Sequence, residues 1–300
     1  MIQNRGLILK PKGVFDFLYG VVEKEVLNPS GQWIEYIVQK EYQKSYQTGW
    51  DTYGCVTFSA LNCIEILHKT KFGEEVNYSD RFTVVTSDTI PGRGNYLRAV
   101  AESIRKDGVV TEAEYPFVDN ETDYYRPIPD MIKGRAKKLD IKWEWLHFNG
   151  WQEKRAEVLT EALRYGPVQI TLSAWPEPEN GVYPRVEGWA NHAVTLIGYK
   201  EGEYWIIFDH YDKDIKNLAW NYEIGTPLLY TLGGEVNLAK KYKGTLIKNS
   251  GSPKVYYSNG EKIAHIKSEE SFYWANTAGF WGYWDDITEV NEPITEDIIF

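Results

Sequence analysis

Residues 47–60 read QTGWDTYGCVTFSA, a stretch that puts one cysteine, Cys55, at a Gly-marked turn into a helix. From Val56 onward the apolar positions Val56, Ala60, Cys63, Ile64 and Leu67 recur at helical spacing, so Cys55 is predicted in the first turn of an amphipathic helix. The free N–H groups and the positive dipole end of that turn favour thiolate over thiol. A reactive thiol also needs a base, and the rest of the chain must supply one.

Working outward, 300 residues suffice for one large domain or a domain with an appendage. Hydrophobic residues at 43%, with 22 Tyr and 12 Trp, argue for an ordered globular protein. The net charge of −10 opposes nucleic-acid binding and association with anionic membranes. The first twenty residues have neither an uninterrupted apolar core nor a small-residue cleavage site, and no apolar run reaches about 18 residues. No signal peptide and no membrane insertion are therefore expected, and the cytoplasm is the default location. The two cysteines, Cys55 and Cys63, lie on one predicted helix and about 12 Å apart by its rise, too far for a disulfide.

Residues 1–46 read as an irregular arm on the main body, without a long charged helix of the kind that serves as an inhibitory pro-segment. Residues 77–94 are loop-rich, with a turn at Pro91-Gly92, and 95–106 return to helix. A strand is expected at 141–146, a helix over 151–165 that stops at Gly166-Pro167, and a strand at 168–174. The apolar runs 192–199 and 204–208, joined by Lys200-Glu201-Gly202-Glu203, form a β-hairpin signature. The domain boundary is placed at residues 240/241, giving a main domain over 1–240 and a small β-rich appendage over 241–300 with an Asn259-Gly260 turn. The aromatic run 272–284 reads as a small core, with a binding surface as the alternative, and the acidic tail from Asp285 as a solvated end.

An antiparallel hairpin brings together the two ends remote from its turn, so His192 and Asp209 can meet. A carboxylate on the imidazole Nδ1–H would fix the tautomer and leave Nε2 to face a thiol. That supplies the base for Cys55, with His210 as the rival imidazole.

The neighbourhoods of these residues resemble the papain-like cysteine peptidases. Cys55-Val56-Thr57-Phe58-Ser59-Ala60 is similar to the family's Cys-Trp-Ala-Phe-Ser-Ala. Gly108-Val109 with Glu112 and Tyr115-Pro116-Phe117, then Gly166-Pro167-Val168, Asn191-His192-Ala193-Val194 and Tyr204-Trp205-Ile206-Ile207, follow in the family's order. His192 stands 137 residues after Cys55, within the window of roughly 130–150 known for papain and the cathepsins.

The resemblance implies an α+β, two-lobed fold: a helical lobe with Cys55, a β-rich lobe with His192 and Asp209, and substrate between them, followed by a small C-terminal β module. It implies a peptidase acting on a peptide or protein by an acyl-enzyme route. Cys55 would be the nucleophile, His192 the base and acid, and Asp209 the orienter where the family carries Asn. Gln47 would be the oxyanion donor, with Gln43 as second candidate, because Gln47 lies two residues farther from the cysteine than the family's glutamine. Gly94 and Asn95 stand where the family's Gly-Gly edge pairs with extended substrate, Asn95 being possible through its tolerance of positive φ, and Asn191 also faces substrate. The segment Asp209-His210-Tyr211 replaces Asn-Ser-Trp, with Tyr211 in place of the shielding indole.

No cofactor or metal is expected: Asp209, Asp212 and Asp214 lack the Gly and distal Glu of a calcium loop. Two other classes fit the departures, a catalytically silent scaffold for binding or assembly and a thiol amidase acting on cell-wall peptides. The C-terminal module is assigned docking to an unknown partner as its candidate role.

Overall fold

The structure, a computed structural model, describes residues 5–8, 24–146, 152–212, 215–225, 227–234, 242–249, 251–258, 263–266, 287–290 and 294. By contacts the chain divides into two units, residues 1–67 with 76–233 and residues 68–75 with 234–300.

The first unit is built around the N-terminal part of α1 (Cys55–Phe72). The helix begins at the cysteine, as the spacing predicts, but it is not amphipathic: every residue from Cys55 to Leu67 is buried, including Thr57, Ser59, Asn62 and Glu65. A helix covered on all sides must satisfy its polar groups internally. Ser59 Oγ donates to the Cys55 carbonyl at 2.7 Å, and Glu65 Oε1 accepts the Tyr78 N–H at 2.7 Å.

The other helices of this part are α2 (Asp80–Thr86), α3 (Leu97–Asp107), α4 (Glu121–Tyr124) and α5 (Asp130–Lys133). Helix α2 lies inside the stretch expected to be loop. Ser79 caps it by accepting the Phe82 N–H at 3.1 Å, and Phe82 and Val84 are buried. Seven residues are too few for a periodic signal, so the cap and tertiary burial make the helix.

After β1 (Ile141–Trp145) and α6 (Gln152–Leu163) come β2 (Val168–Leu172), β3 (Val182–Tyr183), β4 (His192–Lys200), β5 (Tyr204–Phe208), β6 (Ile215–Ala219) and β7 (Leu228–Leu232). They form one sheet in the order β1-β7-β2-β4-β5-β6-β3. The predicted hairpin is β4–β5, with Lys200 opposite Tyr204 and Thr195 opposite Phe208. Strand β4 runs between β2 and β5, and its first seven residues are buried, which accounts for its unbroken apolar run. The core gathers Leu163, Ile170, Leu196, Ile207 and Leu218.

Buried polar contacts fix the first turns of α1 against this sheet. Gln169 Nε2 donates to Val56 O and Ser59 Oγ, each at 2.8 Å, and Thr195 Oγ1 donates to Ser59 O at 3.0 Å. Tyr230 OH completes the set by donating to Gln169 Oε1 at 2.7 Å. The start of the cysteine helix is thereby held to β2 and β4.

The second unit contains β8 (Leu246–Asn249), β9 (Val255–Ser258), β10 (Ile263–Ile266) and β11 (Ile287–Val290), ordered β10-β9-β8-β11. Its pairs are antiparallel except β11 with β8. Alternation sends Ile247, Tyr256, Ile263 and Val290 into one apolar cluster and Leu246, Val255, Tyr257 and Ile266 into another. The tail expected to be solvated thus holds a strand with Val290 buried. The Asn259-Gly260 turn and the aromatic run 272–284 lie outside the described residues. Among the described residues no helix is long and apolar enough to cross a membrane.

Candidate active site

His192 and Asp209 meet at the end of the β4–β5 hairpin remote from its turn, Cys55 at the start of α1 lies against the backbone of Ala193, and each of the three is 0% exposed. The Cys55 sulfur lies against the backbone N–H groups of Val56 and of Ala193, the neighbour of His192. His192 Nε2 bonds Asp209 Oδ1 at 2.8 Å. His192 Nδ1 has no hydrogen-bond partner among the described residues.

The ring is thus turned over relative to the sequence expectation: the carboxylate sits on Nε2, and Nδ1 is the nitrogen without a partner among the described residues. The register explains it. Thr195 pairs with Phe208, so Asp209 lies diagonal to His192, and the outer nitrogen makes the longer reach.

Burial is the largest influence on the pair's protonation. It raises the Cys55 pKa, with Asp51 and Asp209 adding to the rise, although the Ala193 and Val56 N–H groups oppose it. It lowers the His192 pKa well below the ordinary imidazole value, with Arg5 and Lys216 adding to the fall. Both shifts run against the helix-start effect expected to favour thiolate.

The chain's own residues 5–8 run beside these groups. Arg5 N–H donates to Asn191 O at 3.0 Å, Asn95 N–H donates to Gly6 O at 2.9 Å, and Ile8 N–H donates to Asn95 O at 2.6 Å. Leu7 and Asn95 form a parallel bridge. The Arg5 guanidinium lies 4.2 Å from the Tyr211 ring centroid and 5.3 Å from that of Trp175. Gly6 and Gly94 are required by closeness: a Cβ on Gly6 would collide with the Tyr53 carbonyl, and one on Gly94 with the Gly6 carbonyl. The arm read from sequence as packing thus threads through the site.

Gly94 and Asn95 therefore meet residues 5–8 by their backbone, as Asn191 does by its carbonyl. Asn95 is not left-handed, however; the non-glycine residues with positive φ among those described are Tyr53, Asp88 and Asn180, and Gly94 carries φ 93°. The Asn95 side chain instead ties its own loop, donating to Ser87 O at 2.8 Å and Thr89 Oγ1 at 3.0 Å.

Gln47 is not at the site. It is exposed in a turn closed by Ser45 N–H to Trp50 O at 2.8 Å. Gln43 is buried at the base of that turn, with its N–H on His210 O at 2.9 Å and its carbonyl accepting Thr52 N–H at 3.0 Å. Its Nε2 donates to Arg5 O at 3.1 Å and Asp51 Oδ1 at 3.0 Å. The extra residues loop outward, and the nearer glutamine in space is the farther one in sequence.

Three residues escaped the sequence reading. Trp175 meets His192 edge-on at 5.4 Å, sharing with Tyr211, at 6.0 Å, the shielding expected of Tyr211 alone. Lys216 Nζ lies 3.2 Å from Asp209 Oδ2 and also bonds Asp212; the exchange of Asn for Asp at 209 was the available signal that a buried cation was needed. Asp51, beside Gln43, is the third. His210 stacks on Phe58 at 5.4 Å, and burial takes its pKa down to about 3. Donor atoms of His192, Asp209 and His210 lie within 4.8 Å of one another, but both Asp209 oxygens are engaged and Lys216 already supplies the positive charge.

Residues 50–220 match the model of the papain family cysteine proteases, more than half of the chain, with Cys55, His192, Asp209 and Lys216 among them but not Gln43 or residues 5–8. The chain belongs to the papain family. A curated cysteine proteinase of Theileria parva is 28% identical over 171 residues, 54% of this chain and 36% of the relative, so the chain spans about a third of that relative's length. Among solved structures, xylellain, a cysteine protease of Xylella fastidiosa, matches with TM-score 0.59 and 15% identity over 78% of this chain and 97% of its own. The ragweed pollen cysteine protease Amb a 11, in its proform, matches with TM-score 0.54 and 18% identity over 72% and 69%. The papain-family fold accounts for the α+β arrangement of the first unit.

Proposed function

We propose that the chain is a cysteine peptidase that hydrolyses peptide bonds of a peptide or protein through an acyl-enzyme. The observation that carries the reading is the His192 Nε2 to Asp209 bond at 2.8 Å beside an unengaged Nδ1. Asp209 fixes the tautomer in which Nδ1 bears the lone pair, so Nδ1 takes the Cys55 proton. The sulfur attacks the carbonyl carbon, the imidazolium returns its proton to the departing amine, and water then cleaves the thioester with His192 as base.

Gln43, rather than Gln47, is the oxyanion donor in this reading, with the Cys55 backbone N–H as its companion. Its Nε2 already donates to a peptide carbonyl, that of Arg5, at 3.1 Å. Asn191 O and the Asn95 backbone hold the extended substrate, as they hold residues 5–8.

The test is labelling of the full chain with iodoacetamide or an epoxide peptide. Modification at Cys55, abolished in His192→Ala, is expected; equal labelling of Cys55 and Cys63, or none at Cys55 even after residues 1–8 are removed from a folded protein, would sink the peptidase reading.

A further inference from the structure

Lys216 is 1% exposed, and a lysine is seldom buried without a task that needs its charge. It stands on β6 opposite Ile207 of β5, and its Nζ lies 3.2 Å from Asp209 Oδ2. The ammonium also bonds Asp212 and lies 4.9 Å from the Trp175 ring and 5.8 Å from that of Tyr183. Asp209 is thus held at both ends, Oδ1 by His192 and Oδ2 by Lys216.

We propose that Lys216 is a positioning residue for the reaction: its ammonium neutralises Asp209 and fixes the rotation of its carboxylate, so that a charged residue does at 209 what a neutral amide does in the sequence motif it replaces. The inference rests on the proposed peptidase function. A lone buried carboxylate beside an imidazole would hold the imidazolium too firmly, or take up a proton itself and lose its grip on the Nε2–H. A lysine on the far oxygen prevents both.

The surroundings agree in sign. Burial works against the charge on Lys216, but Asp209 and Asp212 outweigh it and raise its pKa. Lys216 in turn lowers the basicity of His192, after burial and Arg5, while Asp212 opposes it. His210 and Tyr211, after β5, also lie near the His192 ring, and the Asp212 side chain also meets that of Asp209.

The test uses the full chain with Lys216→Met, Asp209→Asn and the double variant. The pH profile of peptide hydrolysis or epoxide inactivation is read, together with the His192 titration by NMR. Lys216→Met is expected to move the acid limb and the His192 titration upward by about one pH unit. Each single variant is expected to lose roughly tenfold or more in kcat/KM, and the double variant to recover to within about fivefold of the wild type.

Losses that simply multiply in the double variant, with the His192 titration unmoved, would overturn the proposal and leave Lys216 a structural ion pair. If Lys216→Met does not fold, Asp209→Asn against the double variant carries the comparison, since the second change then removes an unmatched ammonium. The NMR titration needs no turnover, so a wild type without activity would count against the peptidase function while the Lys216 shift is still decided.

Discussion

Asn95 and Gly6 are joined backbone to backbone, N–H to carbonyl at 2.9 Å, so the edge assigned to substrate is occupied by the chain itself. Deleting residues 1–8 is expected to raise the rate of peptide hydrolysis and of Cys55 alkylation at neutral pH at least about tenfold. Two of the influences on His192, burial and Arg5, go with the segment, so its basicity rises, while lost burial lets the Cys55 pKa fall. Gly6→Ala should act in the same direction, because Gly6 has φ 105° and its Cβ would meet the Tyr53 carbonyl. Comparing alkylation profiles of the three proteins from about pH 5 to 9 reads the result; unchanged rates would show that the segment does not restrain the site.

The glutamine assignment separates cleanly. Gln43→Ala is expected to lower kcat by about 10²–10³-fold, as for loss of one oxyanion donor, whereas Gln47→Ala, on an exposed turn, stays within about twofold. Steady-state kinetics on one peptide substrate would suffice, and a reversed pattern would return the role to Gln47.

His210 offers a control on the base. Both of its ring nitrogens are buried without a hydrogen-bond partner among the described residues, and its ring stacks on Phe58. His210→Phe keeps the stack and removes two unsatisfied polar atoms, so hydrolysis should persist and the melting temperature should hold or rise by roughly 2–4 °C. Loss of all turnover in a folded His210→Phe protein would make His210, not His192, the working imidazole.

A pH effect on stability comes from Glu112. Burial raises its pKa from 4.5 to about 7, with Glu41 adding to the rise and the Phe117 N–H and Arg81 opposing it. The folded state therefore holds this proton more tightly than the unfolded one, and its contribution is full below about 4.5 and lost as pH rises through about 7. Glu112→Gln should remove that loss, melting roughly 2–4 °C above the wild type at pH 8 but not at pH 4.5. Calorimetry at the two pH values checks it.

Much of this was legible in the chain. The cysteine at the helix start, the hairpin and the meeting of His192 with Asp209 followed from local periodicity and from the way an antiparallel pair joins its far ends. What was not legible depended on distance through space. The face of the imidazole used by Asp209 is set by strand register, the burial of α1 on all sides by what surrounds it, and the choice between Gln43 and Gln47 by the path of a turn. Nothing in the sequence marked Lys216, which faces Asp209 only once β5 and β6 are paired. Helix α2 was missed because its cap and two buried side chains carry it, not a repeating pattern.

The turn between Ser45 and Trp50 also has a practical meaning. Its ends are pinned by the Gln43–Thr52 and Ser45–Trp50 backbone bonds, and Ser45 and Thr48 anchor it on Asp119. Closing a longer loop costs only about 0.6 kcal/mol per doubling of length. Residues beyond Ser45 can therefore accept an inserted epitope or reporter peptide without displacing Gln43, which makes this turn a handle by which the protein can be tagged a few residues in sequence, yet one turn in space, from its chemistry.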